Sequence, residues 1–169
     1  IEIAKALNCK SLIGLSGDAD PSDDSEKNRL IENLKRVADM AVRNDVTICM
    51  EALNSAVDHK GYYLESSATG FEIVDAVGCE KVKLLFDVYH MQIMEGNIIE
   101  SIRNNISKIG HFHSAGVPGR NEHFNGENDY KNIIKAIDKT GYDKYFGLEY
   151  WTTYDAKKSL ADCLAYLKG

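Results

Sequence analysis

Apolar residues along this chain fall in two alternating rhythms. Short, nearly unbroken apolar runs occur at 11–15 (SLIGL), 46–54 (VTICMEALN), 81–90 (KVKLLFDVYH), 108–116 (KIGHFHSAG) and 145–151 (YFGLEYW). Continuous hydrophobicity of this kind belongs to strands buried on both faces. Between the runs the spacing lengthens to the helical period. Leu30, Ile31, Leu34, Val37, Ala38, Ala41 and Val42 share one face of a predicted helix, with Asp23, Asp24 and Glu26 at its positive end. Four more helices are marked by Phe71, Val74 and Val77, by Ile98, Ile99 and Ile102, by Tyr130, Ile133, Ile134 and Ile137, and by Leu160, Cys163, Leu164 and Leu167. The third of these stops near Gly141, and a further helix is expected at Ile1–Leu7.

Five strands, each followed by a helix, predict a parallel sheet covered by helices. A doubly wound sheet and a (β/α)₈ TIM-type barrel both fit. Gly14 and Gly17 do not make a dinucleotide-binding G-x-G-x-x-G, and no phosphate-binding P-loop occurs. The placement of polar residues at the strand ends favours the barrel. A complete barrel needs eight strands and about 250 residues, whereas this chain has 169 and supplies five βα units. It is therefore expected to be one partial barrel domain, 1–169, whose three N-terminal strands would precede Ile1. The opening on Ile1, with neither initiator Met nor signal peptide, agrees with that expectation. An open sheet leaves edges at Leu12–Leu15 and Phe146–Tyr150, so a second copy or a separate N-terminal segment is expected to cover them.

Each of the last four predicted strands carries a ligand-type side chain near its C-terminal end: Glu51, Asp87, His113 and Glu149. Their separations of 36, 26 and 36 residues are each about one βα unit. In a barrel those ends converge on one mouth, where active sites are built. A single strand-end acid is more often a helix cap. Four in register are harder to explain that way, because burying unpaired carboxylates is costly and a divalent cation compensates. Two Glu, one Asp and one His with no thiolate suit Mn²⁺, Mg²⁺ or Co²⁺.

Other residues carry two readings. His111 shares a strand face with His113, either as a second ligand or as a hydrogen-bonded interior histidine. His90, on the loop after Asp87, can touch a substrate hydroxyl or be an ordinary satisfied histidine. Arg120 in GVPGRNEH can grip a carboxylate or phosphate, or be a solvated loop arginine. Glu127 reads as a supporting group or a helix-start acid. Tyr62, Tyr63 and Trp151 read as pocket wall or as packing. Cys49 reads as core, and nothing points His59 to function.

Composition narrows the function classes. The chain is 44% hydrophobic and 27% charged, enough apolar content for a real core. Twenty basic against 26 acidic residues, a net charge of −6, argue against a nucleic-acid partner. No apolar run approaches the roughly 18 residues that span a bilayer. Cys9, Cys49, Cys79 and Cys163 lie far apart and read as reduced thiols of a cytoplasmic protein.

The segments MEALN, FDVYHMQ, HFHSAGVPGR followed by NGENDY, and GLEYW together resemble the hydroxypyruvate isomerase branch of the xylose isomerase-like TIM-barrel superfamily. The pair PGR-x-E and GE-x-x-Y points to that branch. The resemblance implies that Glu51, Asp87, His113 and Glu149 bind one divalent metal. It also implies that Glu51 and Glu149 are the acid/base pair and that His90 and Arg120 face the substrate. His113 is a departure, because some hydroxypyruvate isomerases carry an amide there. The expected reaction is isomerisation of a small hydroxy-carbonyl compound, such as hydroxypyruvate to tartronate semialdehyde, through an ene-diolate. Three alternatives stand beside it: a ketose 3-epimerase or other sugar isomerase, an endonuclease IV-like phosphodiesterase, and an inactive truncated fragment.

Overall fold

The computed structural model describes residues 1–169. A short helix α1 (Glu2–Ala6) leads into β1 (Ser11–Gly14), α2 (Asp24–Arg43), β2 (Thr47–Glu51), α3 (Ser67–Val77) and β3 (Val82–Asp87). There follow α4 (Val88–Met94), α5 (Ile98–Asn105), a 3₁₀ turn (Ile106–Lys108), β4 (Ile109–Ser114), α6 (Tyr130–Asp138), β5 (Phe146–Leu148) and α7 (Ala156–Lys168). All five strands are parallel, and their spatial order is their chain order. A doubly wound sheet would reverse that order at a switch point. Sequential winding instead gives the curled wall of an incomplete α/β barrel, resolving the choice left open by the alternation alone.

The helices start where local chemistry caps them. Asp23 accepts a hydrogen bond from the Ser25 amide at the head of α2, Ser66 does so from Thr69 at α3, and Asp155 from Lys158 at α7. The α2 stripe is only partly covered: Ile31, Leu34, Ala38 and Ala41 are buried, whereas Val37 and Val42 remain exposed. The main core lies between the outer face of the sheet and the helices. Leu84, Phe86, Ile109 and Phe112 meet Phe71, Ile73, Ile102 and Tyr130 there. Fully burying each such side chain contributes about 1.5–3 kcal/mol.

Three expectations need correction. The chain between β3 and β4 holds two helices and a 3₁₀ turn, not one helix. The first of them begins directly at Val88, because Asp87 accepts from the Tyr89 amide as its N-cap. His90 is therefore a helical residue and fully buried, not a loop residue. Strand β5 ends at Leu148, so Glu149 sits just beyond the sheet with its side chain half exposed. No helix is long and apolar enough to cross a membrane.

Candidate metal centre and active site

Strand register aims the candidate ligands. Asp87 pairs with His113, and His113 pairs with Gly147, two residues before Glu149. Side chains two apart on a strand share a face, so Glu149 continues the inward row. Glu51, at the end of β2, points to the same place. One ligand atom from each of Glu51, Asp87, His113 and Glu149 lies within 4.8 Å of the others.

The Nδ1 of His113 stands 3.2 Å from Glu51 Oε1 and 3.3 Å from Glu149 Oε2, so it lies between the two glutamates. Burial works against an imidazolium there, but the hydrogen bonds to Glu149 and Glu51 outweigh it and raise the His113 pKa to about 10. The same contact with His113 holds Glu149 down at about 2. Asp87 behaves oppositely. Burial, reinforced by the nearby Glu51 charge, pushes it up to about 7. Its Oδ1 caps α4, while its buried Oδ2 has no hydrogen-bond partner.

These features fit a divalent cation. Three carboxylates and an imidazole converge, one carboxylate oxygen is orphaned in the interior, and mutual repulsion disfavours the charged form of Asp87. Each cost is relieved by positive charge at their centre. Hard oxygen donors with one imidazole are a donor set suited to a divalent cation.

His90 and Arg120 border this cluster. His90 Nδ1 accepts from the Asn54 amide at 3.2 Å and from Asn54 Nδ2 at 2.7 Å. That places its proton on Nε2, which lies 3.5 Å from Asp87 Oδ2 and lacks a hydrogen-bond partner. Burial lowers the His90 pKa to about 3, so the ring is a neutral donor near pH 7. Arg120 Nη2 lies 2.5 Å from Glu149 Oε2 and 3.9 Å from Asp87 Oδ2. Its guanidinium also covers the Tyr89 ring, 5.2 Å from the centroid.

Asn54, Asp58 and Tyr89 were not singled out in the sequence, yet they build the wall beside His90. Asp58 accepts from Asn54 Nδ2 and from Tyr89 Oη, both at 2.8 Å. The available signal was positional: Asn54 lies three residues past Glu51 and Tyr89 two past Asp87. His59 lies edge-on to His90 at 5.4 Å.

The remaining candidates contribute no ligand atom to the cluster. His111 faces the interior below His113, ring centroids 4.9 Å apart. Glu127 is exposed and accepts from Gln92 Nε2, while the cap of α6 is Asp129. Tyr62 and Tyr63 belong to the core, Tyr62 donating to the Glu51 carbonyl. Trp151 is 73% exposed. Cys49 is fully buried, and all four cysteines are free.

A sequential parallel sheet with three carboxylates and an imidazole gathered at its C-terminal mouth defines an α/β barrel whose candidate site lies at the strand ends. The model of the family described as "Xylose isomerase-like TIM barrel" matches residues 1–169, and the chain belongs to that family. It is 34% identical over 152 residues to the hydroxypyruvate isomerase of Escherichia coli, covering 89% of this chain and 58% of that protein. It is 38% identical over 120 residues to the 2-oxo-tetronate isomerase of Cupriavidus necator, covering 71% of this chain and 46% of that protein. The chain thus spans about half the length of these relatives. Among solved structures, a Brucella melitensis protein described as AP endonuclease, family 2 superposes with a TM-score of 0.91. The two are 28% identical, over 98% of this chain and 64% of that one.

Proposed function

We propose that this chain carries the acid/base and metal-binding part of an isomerase of small hydroxy-carbonyl acids, hydroxypyruvate being the type substrate. The convergence of Glu51, Asp87, His113 and Glu149 beside Arg120 and His90 carries the reading. The relatives named hydroxypyruvate isomerase and 2-oxo-tetronate isomerase support it. Arg120 favours an acid over a neutral ketose, because a guanidinium fork matches a carboxylate in two parallel hydrogen bonds.

Glu51, Asp87, His113 and Glu149 would hold one Mn²⁺, Mg²⁺ or Co²⁺, which when bound supplies Lewis-acid polarisation of the substrate oxygens. Glu51 and Glu149 flank His113 Nδ1 and so border the reacting region from two sides. One takes the proton from the carbon beside the carbonyl, giving an ene-diolate. The other returns a proton to the former carbonyl carbon, and the hydroxyl proton passes to the former carbonyl oxygen, which completes the shift of the carbonyl. His90 Nε2–H donates to a substrate oxygen, and Arg120 orients the carboxylate.

The test is hydroxypyruvate isomerisation by the protein as its source cell makes it. Turnover abolished by EDTA and restored by Mn²⁺ is expected. Turnover unaffected by chelation, or none with metal supplied, would overturn the reading.

A further inference from the structure

The branch motif PGR-x-E ends in a glutamate, Glu122, that the chemistry above does not use. It is fully buried and makes no ion pair with Lys or Arg. Its partners are neutral donors on the β5–α7 loop and the first turn of α7. Oε1 accepts from the Thr153 amide at 2.8 Å and from Ser159 Oγ at 2.8 Å, and Oε2 accepts from Thr153 Oγ1 at 2.9 Å. Burial opposes the charge, but the hydrogen bonds from Thr153 and Ser159 outweigh it and hold the carboxyl at about 2. Glu122 therefore ties the β4–α6 loop to the β5–α7 loop.

Arg120 lies two residues upstream in the β4–α6 loop, where its carbonyl meets the β5–α7 loop. Its φ of +56° is left-handed, which a side chain with a Cβ disfavours, so its surroundings must hold it. They do so through the same loop pair. The Trp151 amide donates to the Arg120 carbonyl at 2.8 Å, Asn121 Nδ2 donates to the Trp151 carbonyl at 2.9 Å, and the Gly116 amide donates to the Asn121 carbonyl at 2.8 Å. Glu122 closes this ladder at the Thr153 end.

We propose that Glu122 is a positioning residue, locking the two loops together so that the Arg120 guanidinium is held over Glu149 and Asp87 to receive the substrate carboxylate. The final clause rests on the functional reading above; the placement of Arg120 does not.

The test uses the protein as its source cell makes it, with Glu122→Gln, Arg120→Ala and the double variant. Glu122→Gln keeps the size but turns an amide toward the donors. It is expected to move or broaden the Arg120 Nε–Hε NMR resonance, which is assigned by its loss in Arg120→Ala. KM for hydroxypyruvate rises at least about fivefold, while Mn²⁺ affinity stays within about twofold. Added to Arg120→Ala, it costs nothing further in KM. Thr153→Val, which removes one donor, changes the same quantities in the same direction by less, and it decides the matter should Glu122→Gln not fold. An unmoved Arg120 resonance in the folded variants, or KM effects that multiply in the double variant, overturns the proposal. Absence of hydroxypyruvate turnover in the unmutated protein overturns the functional reading instead, and the resonance still decides the placement of Arg120.

Discussion

At the residue scale, two positions two residues apart, one in β5 and one just beyond its end, have opposite tolerances. Glu149 can lose its charge and keep its shape. In Glu149→Gln an amide oxygen still faces the cluster, but no proton can be transferred. A fall in kcat of roughly 10²-fold or more, with Mn²⁺ affinity far less affected, is the expected result of steady-state kinetics beside metal titration. Equal activity would make Glu149 a ligand only. Gly147 cannot gain even a methyl group. A Cβ there would stand 2.9 Å from His113 Cδ2 and 3.2 Å from His111 Nε2, so the His113 ring must move off its line with Glu51 and Glu149. Gly147→Ala is expected to weaken Co²⁺ or Mn²⁺ binding about tenfold, the equivalent of about 1.4 kcal/mol and within the usual cost of overpacking. Unchanged metal affinity would show that the rings absorb the methyl group by moving elsewhere.

At the element scale, the junction of β4 with the loop beyond it depends on an uncharged histidine. His123 is fully buried, its Nε2 is 2.9 Å from Ser114 Oγ, and Ser114 Oγ donates to the Gly147 carbonyl at 2.9 Å. The hydroxyl proton is thus committed to Gly147, and His123 is the donor to the hydroxyl. Its ring also packs edge-on against Tyr130 and Tyr150. Burial lowers its pKa to about 4 from an unfolded value near 6.5. Above pH 6.5 neither state binds the proton and the contact is intact. As pH falls toward 4 only the unfolded chain takes it up, so folding weakens, by about 3 kcal/mol in the limit below both values. The urea midpoint is expected to fall over pH 6.5 to 4 and to fall less steeply in His123→Gln, whose amide still reaches Ser114. Equal slopes in the two proteins would assign the acid sensitivity to other groups. Burial pushes Asp87 in the opposite direction, so the comparison between variants, and not the bare slope, carries the test.

At the scale of the whole molecule, the exposed apolar side chains concentrate toward the two ends of the sheet. Ile13 and Leu15 lie on and just after β1, with Ile3 and Leu7 on the helix before it, and Tyr145 and Trp151 flank β5. The outer edges of β1 and β5 have no strand beside them. Each large side chain left in water forgoes about 1.5–3 kcal/mol, and an open strand edge is a template for pairing. Residues 1–169 expressed alone are therefore expected to sediment above the 18.8 kDa of one chain at micromolar concentration. Ile13→Lys with Leu15→Lys is expected to reduce that association. A compact monomer without these substitutions would overturn the expectation.

Much of this was written in the order of residues. The alternation of apolar runs and helical stripes determined five βα units, because burial on both faces makes strands continuous and burial on one makes helices periodic. Repetition of a ligand-type residue at each strand end picked out Glu51, Asp87, His113 and Glu149, since a parallel barrel brings equivalent positions to one mouth. Register, capping and packing across the cleft were decided only in three dimensions. Local pattern does not reveal that Asp87 both caps α4 and leaves an orphaned oxygen in the cluster. Nor does it reveal that His90 is turned by Asn54, 36 residues away, so that its proton faces that oxygen. The role of Glu122 was equally hidden, because its partners Thr153 and Ser159 lie 31 and 37 residues along the chain. Hydrophobic periodicity is a local property, legible from neighbours, whereas the partner of a buried polar group is chosen by the closure of the fold.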